Sequence, residues 1–119
     1  MLLAEALLRN PAAGGAWNFG PAPADCLPVG QVVAQFAQCW QAACGQAAVV
    51  ELDQATQPHE AGLLLLDASK AQTQLGWQPR WPLPTALRVT AQWFDAWQRG
   101  ASMRTVTLHQ IAKYVADSR

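Results

Sequence analysis

Charge is scarce in this sequence. Only 13% of its 119 residues are charged, and eight basic side chains balance eight acidic ones to a net charge of zero. Lysine and arginine form no run, so the chain lacks the basic surface that attracts nucleic acids and anionic membranes. Long apolar runs are missing too, since none approaches the roughly 18 residues that cross a bilayer. We therefore expect neither a nucleic-acid-binding protein nor a membrane protein.

Metal-ligand patterns are also missing. The three cysteines are odd in number and match no zinc spacing, and only two histidines could join them: Cys26, Cys39, Cys44, His59 and His109. No metal site is expected, and the thiols are predicted to be free in a reducing cytoplasm. The N-terminal segment carries an acidic residue and no basic lead, which favours a helix over a signal peptide.

Cofactor and catalytic motifs are missing as well. None of the eight glycines forms the G-x-G-x-x-G turn that brings backbone N–H groups to a pyrophosphate, and none has a Walker spacing. No serine lies in a nucleophile motif, and cysteines on an apolar helix are typical of inert buried thiols. The chain by itself is therefore predicted to bind no NAD and to carry no catalytic residue.

Apolar residues, by contrast, are abundant. They make up 51% of the chain, which includes six tryptophans. This length and composition predict one domain, spanning 1–119, with a core of its own. So few charges leave more apolar surface than an isolated domain usually needs. We therefore expect either a homo-oligomer or a protein whose remaining part lies elsewhere.

Hydrophobic periodicity and capping residues predict a series of helices. They cover 2–9, 28–44 (with Pro28 in the first turn), 68–75 and 84–99, and three of them are followed by Gly45, Gly76 or Gly100. A last helix is predicted to begin at a capping box over Thr107–Gln110. Val106 and Ile111 are predicted to form its hydrophobic staple. Its predicted buried face consists of Leu108, Ile111, Ala112 and Val115.

Short apolar or β-branched runs at 16–19, 47–52 and 62–66 predict strands. Asp67, directly after the last run, is placed to accept backbone N–H groups of the next helix. Helices and strands together predict an α/β fold of several helices with about three short strands. They are too few for a complete Rossmann sheet.

Three polar positions are candidates for ligand contact. The pair His59-Glu60 either contacts a ribose hydroxyl or a phosphate, or satisfies backbone groups in its own loop. Asn18, alone in an apolar run, has the same two interpretations. His109, in the predicted capping turn, is interpreted as a solvated side chain.

Several motifs occur in an order that resembles a known family. They are AWNFGP at 16–21, Trp40, PHEA at 58–61, LDASKA at 66–71, LGWQPRW at 75–81, Thr90 with Trp93, and Gln110-Ile111 with Tyr114. Together they resemble the C-terminal third of the CDP-glucose 4,6-dehydratases, which are extended short-chain dehydrogenases/reductases. The resemblance covers nearly the whole chain.

The resemblance implies a substrate-side role. In this family an N-terminal Rossmann domain holds NAD and a smaller C-terminal domain closes over the nucleotide sugar. The enzymes oxidise the sugar at C4, eliminate water across C5–C6 and return the hydride to C6, in nucleotide-sugar and lipopolysaccharide biosynthesis. Their active site uses a Tyr-x-x-x-Lys pair, whereas the single tyrosine here, Tyr114, has Ser118 four residues later. The resemblance therefore implies CDP-glucose as a partner but no catalysis by this chain alone.

The same resemblance implies a substrate-binding set. Glu60, seven residues before Asp67, matches the acidic residue that holds the nucleotide ribose in related epimerases. Gln57 stands where those relatives often place an arginine against the diphosphate, and His59 supplies part of that charge if it is protonated. Asn18 lies in the segment that approaches the nucleotide.

Asp67 and Lys70 are interpreted as structural. The leading hypothesis is thus the CDP-sugar-binding part of a dehydratase, inactive alone. The alternative is a stand-alone oligomeric scaffold or interaction module that binds no ligand.

Overall fold

The computed structural model describes residues 1–53 and 65–117. Within these residues 63% are helical. Two short 3-10 turns, Pro11–Ala13 and Pro23–Asp25, accompany the α-helices. The α-helices are α1 (Leu2–Arg9), α2 (Val29–Cys44), α3 (Ser69–Leu75), α4 (Leu83–Gln98) and α5 (Met103–Ala116).

The prediction of an α/β fold is wrong, because the described residues contain no strand. Residues 16–19 and 47–52 adopt no regular secondary structure, and neither do 65 and 66, while 62–64 lie outside the described residues. An apolar run is compatible with a strand, but a strand also needs a second backbone to pair with, and local sequence does not specify that partner. Here the first run is held by its side chains instead, as described below.

Helix boundaries follow the predictions closely over the first four helices. α1 begins and ends at the predicted residues, α2 and α3 each begin one residue later than predicted, and α4 is displaced by one residue. Gly45 and Gly76 end α2 and α3 with φ of 76° and 62°. This left-handed conformation costs little for glycine and more for residues with a Cβ, which is why these two positions terminate their helices.

The predicted start of α5 is wrong. The helix begins at Met103 with Ser102 before it, so Thr107 and His109 lie in its interior. The Thr107 hydroxyl accepts a hydrogen bond of 3.0 Å from the indole Nε1 of Trp93 rather than capping a helix end. A Thr-x-x-Gln spacing has a capping function only where the helix begins, and tertiary contacts with α4 occupy the threonine instead.

The predicted buried face of α5 is wrong as well. Leu108 and Ile111 each expose 53% of their surface and Val115 exposes 57%, and Ala112 is exposed too. The face of α5 that carries Val106 and Gln110 is the more buried one. Helical periodicity identifies an apolar stripe but does not show whether another element covers it.

The described residues divide into two compact units. The first unit consists of 1–26 and 65–79, where α1 contacts the turn at 11–13 and α3. The second consists of 27–53 and 80–117, where α4 packs against both α2 and α5. The most buried apolar residues are few and small: Ala68 and Ala71 in the first unit, Val89 and Ala91 in the second. The prediction of one domain over 1–119 stays a prediction.

None of the helices in the described part of the chain is long and apolar enough to cross a bilayer. The three cysteines are free thiols.

Candidate functional site

Of the four predicted substrate-binding residues, the structure describes one. Gln57, His59 and Glu60 lie outside the described residues, so their predicted roles stay predictions. Asn18 is described and belongs to the first unit, where it is exposed and lies in a stretch without regular secondary structure.

The stretch around Asn18, residues 16–20, is here called the Asn18 segment. Its backbone is joined to α3, because the Nζ of Lys70 donates a hydrogen bond of 2.9 Å to the carbonyl oxygen of Ala16. The same ammonium lies 4.1 Å from the centroid of the Trp17 ring, a cation–π distance. The indole Nε1 of Trp17 donates in turn to the carbonyl oxygen of Ala13 at 2.9 Å. One side of the Asn18 segment is thereby fixed to the rest of the first unit.

The other side of the Asn18 segment is fixed by ring and backbone packing. Phe19 meets Trp77 edge to face, with ring centroids 5.2 Å apart. Gly20 approaches Leu66 so closely that a Cβ added to the glycine would lie 3.2 Å from the Leu66 Cβ. Asn18 is therefore exposed, while the rings of its two neighbours each contact another side chain: Trp17 contacts Lys70, and Phe19 contacts Trp77.

Asp67 fulfils its predicted role at the start of α3. It precedes the N-cap residue Ala68, and its Oδ1 accepts a hydrogen bond of 2.9 Å from the backbone N–H of Ser69. The side-chain and backbone hydrogen bonds from Ser69 lower the pKa of the Asp67 carboxyl below its ordinary value, because they stabilise the charged form. The carboxylate is thus ionised near neutral pH and partly occupied by the turn.

An open cavity of about 400 Å³ lies in the first unit beside this turn. Its volume falls within the range of small-molecule sites, and it combines an apolar wall with a few polar groups, as such sites do. The wall and the polar groups belong to the 3-10 turn at 23–25, its flanking residues and the α3 start: Pro21, Pro23, Cys26, Leu65, Leu66 and Ala68, then Asp67, Ser69 and Gln72. Such a lining can pack against a ring and hydrogen-bond to hydroxyl groups.

A second groove, of about 390 Å³, lies between α4 and α5 in the second unit. Gln110 crosses its base, donating from Nε2 to the carbonyl oxygen of Val89 at 3.0 Å. His109, predicted to be a solvated capping-turn residue, is exposed on the wall of this groove together with Lys113. Among the described residues, no carboxylate, cysteine or serine lines the groove.

Tyr114, the single tyrosine, makes packing contacts. Its ring meets Trp81 edge to face at 4.9 Å between centroids, and the guanidinium carbon of Arg80 lies 5.3 Å from its centroid. Trp81 also donates from Nε1 to Oδ2 of Asp117 at 3.0 Å. Sequence reasoning did not identify this cluster, because Arg80 and Trp81 lie more than 30 positions before Tyr114 and Asp117 and no local pattern connects the two pairs.

The described residues do not fit a dinucleotide cofactor. A pyrophosphate cradle needs glycines between a strand and a helix N-terminus, whereas Gly45 and Gly76 follow helix C-termini and the described residues contain no strand. They also contain no group of three or more potential metal ligands. We derive no chemical step through either kind of group.

Comparison with known proteins indicates which kind of enzyme the chain is similar to, which the geometry of the first unit does not show. No protein-family profile matches the chain. Over 100 residues it is 40% identical to CDP-glucose 4,6-dehydratase from Salmonella typhimurium. The chain is similar to part of that enzyme. The matched stretch is 84% of this chain and 27% of the dehydratase, so the chain spans about a quarter of the length of the curated relative it matches. The predicted resemblance is confirmed, and the extent of the match is consistent with a C-terminal portion.

Proposed function

We propose that this chain is the CDP-sugar-binding portion of a protein like CDP-glucose 4,6-dehydratase, acting in cytoplasmic nucleotide-sugar biosynthesis. The observation that carries the proposal is the 40% identity to CDP-glucose 4,6-dehydratase, which extends over 84% of the chain. The name of that relative supplies the chemistry of the ligand, a cytidine diphosphate joined to a hexose.

The geometry of the first unit supports this proposal. Two of the motifs that carry the resemblance, at 16–21 and 66–71, are far apart in the sequence but meet in space. Lys70 reaches Ala16 across 54 positions, and Leu66 packs on Gly20. The cavity of about 400 Å³ includes residues of both motifs. Two of the motifs on which the resemblance rests therefore lie at a concave surface of suitable size.

Roles in the proposed site follow from the chemistry of each side chain. The Asn18 amide offers two donors and an acceptor to the nucleotide, and it is exposed to make these contacts. The Glu60 carboxylate would accept hydrogen bonds from the two ribose hydroxyls, with His59 and Gln57 towards the diphosphate. The assignments of Glu60, His59 and Gln57 rest on the resemblance.

We also propose that these 119 residues alone do not catalyse dehydration. The ring of Tyr114 is engaged by Trp81 and Arg80, and the sequence has no lysine four positions after it. Purified chain supplied with NAD should therefore produce no 4-keto sugar from CDP-glucose. Measurable turnover would contradict this part of the proposal.

Isothermal titration calorimetry with CDP and CDP-glucose tests the binding. Asn18→Ala should weaken binding roughly 2–10-fold, since a neutral hydrogen bond contributes about 0.5–1.5 kcal/mol. Glu60→Ala should weaken it roughly 10–100-fold, as expected for charge-assisted bonds of about 1.5–3 kcal/mol. Gln38→Ala, on the exposed part of α2, is a control that should leave the affinity unchanged. A folded protein that binds neither ligand would contradict the proposal.

A second candidate function, a self-associating scaffold, is favoured by one observation. Leu108 and Ile111 lie on the same side of α5 and each exposes 53% of its surface. Light scattering should then report a dimer or larger species that Ile111→Glu converts to monomers. A wild-type protein that is monomeric at high concentration would contradict this candidate.

A further inference from the structure

We propose that Lys70 is a positioning residue, which holds the Asn18 segment in place for the nucleotide and does not itself bind the phosphates. This inference rests on the proposed function and deepens it. It concerns the part of the nucleotide site that the structure describes, and it assigns the lysine a role different from the usual one of an ammonium beside a diphosphate.

The contacts of the ammonium group carry the inference. Its Nζ donates to the Ala16 carbonyl oxygen at 2.9 Å and lies 4.1 Å from the Trp17 centroid. Tryptophan is the best aromatic partner for a cation, and a hydrogen bond from a charged donor is stronger than a neutral one. Both interactions are made with the same short segment, so the contacts that the structure gives to the Lys70 ammonium serve that segment.

The position of Asn18 shows what this engagement achieves. Asn18 follows Trp17, which Lys70 and Ala13 hold, and precedes Phe19, which Trp77 holds. An exposed amide in an irregular stretch would otherwise sample many orientations, and ordering it on binding costs affinity. Because Lys70 holds the backbone at Ala16 and the ring of Trp17, the backbone that carries Asn18 is positioned before the ligand arrives.

The two roles of a lysine predict different ligand dependence. A phosphate-binding lysine contributes to the affinity for CDP and nothing to the affinity for cytidine, which lacks phosphates. A positioning lysine acts through Asn18, and its loss weakens both ligands by the same factor. The comparison of CDP with cytidine therefore separates the roles.

The variants are chosen to remove or keep the cation. Lys70→Met keeps the aliphatic stem but loses the charge and the donors, whereas Lys70→Arg keeps a cation that can donate and stack. Lys113→Met removes the other lysine of the chain, which is exposed on α5, and serves as the matched control. Circular dichroism verifies that each variant is folded.

Binding of CDP and cytidine, followed by NMR titration, is the first readout. Lys70→Met should weaken both ligands by the same factor, which should be no larger than the roughly 2–10-fold loss expected for Asn18→Ala. Lys70→Arg should recover most of that loss, and Lys113→Met should leave both affinities unchanged. A loss confined to CDP would overturn the inference, because it would show that Lys70 contacts phosphate.

The indole N–H resonance of Trp17 in the ligand-free protein is the second readout, assigned with Trp17→Phe. Lys70→Met should shift it clearly and Lys113→Met should not. An unchanged Trp17 resonance in Lys70→Met would overturn the inference even if binding falls. If the wild-type protein binds neither ligand, the proposed function fails, and this resonance still decides whether Lys70 fixes the segment.

Discussion

In the first unit, polar and ring contacts hold the irregular Asn18 segment against α3, a helix of seven residues. In the second unit, the sixteen-residue helix α4 packs against α2, also of sixteen residues, and against α5, of fourteen residues. The first unit contains Asn18, the cavity at the α3 start and two of the motifs on which the resemblance rests. The second contains the longer helices, and side-chain hydrogen bonds from Trp93 and Gln110 join α4 to α5. Irregular backbone fixed by individual side-chain contacts is typical of binding regions, since it can present polar groups that a regular helix cannot.

Overpacking should have the largest effect, and it tests the helix packing of the second unit. Ala91 on α4 has 0% exposure, so Ala91→Leu forces new atoms into occupied space. We expect the free energy of unfolding to fall by about 1–3 kcal/mol, measured by urea denaturation. Ala112→Leu, at an exposed position of α5, should change it by less than about 0.5 kcal/mol. Equal effects at the two sites would contradict the tight packing of α4.

Substitution of the glycine that ends α3 tests the stability of the first unit, again through the free energy of unfolding. Gly76 ends α3 with φ of 62°, so Gly76→Ala should cost about 1–2 kcal/mol of the free energy of unfolding. Gly30 in α2 has open space around it and no unusual φ, and Gly30→Ala should stabilise the protein by about 0.4–1 kcal/mol. The opposite signs are the expected result in thermal denaturation. A neutral Gly76→Ala would show that α3 does not depend on this turn.

A smaller effect is expected from the link between α4 and α5. Thr107→Val removes the acceptor for Trp93 Nε1 while keeping the shape of the side chain. The free energy of unfolding should fall by about 0.5–1.5 kcal/mol. In a double-mutant cycle with Trp93→Phe, the two losses should be less than additive, since both remove the same bond. Strict additivity would contradict the Trp93–Thr107 contact.

The smallest effect is expected at Asp67, which is exposed. Because hydrogen bonds from Ser69 lower the pKa of Asp67 in the folded protein, its stabilising contribution is present above the unfolded pKa and is lost as pH falls through the folded pKa. The melting temperature of the wild type should therefore decrease more than that of Asp67→Asn between about pH 6 and about pH 2. Asparagine keeps the acceptor and does not titrate in this range. Parallel pH profiles would contradict the role of the carboxylate.

Local signals were enough to predict most helix boundaries. Gly45 and Gly76 end their helices where predicted, because the left-handed conformation they adopt is a property of single residues. Asp67 was correctly placed at the α3 start for a similar reason, since its hydrogen bond reaches only two residues along the chain. The resemblance to CDP-glucose 4,6-dehydratase likewise lay in the order of motifs, and the 40% identity confirms it.

Tertiary structure decided the rest. The run at 16–19 has the composition of a strand, yet it is held by Lys70, which is 54 positions from Ala16. Thr107 has the spacing of a helix cap, yet Trp93 occupies its hydroxyl from α4. The exposure of Leu108 and Ile111 depends on which elements lie against α5, and periodicity contains no information on that.

The sequence by itself thus determined, to within about one residue, where the first four helices of this protein begin and end, and it indicated which known enzyme the protein resembles. The tertiary structure decided that the described residues contain no sheet, which helix face is covered and how the Asn18 segment is held. The physical reason is the distance along the chain over which each interaction acts. Dihedral preferences and capping bonds act within a few residues, whereas strand pairing, side-chain burial and the Lys70–Ala16 bond depend on atoms that meet only after the chain has folded.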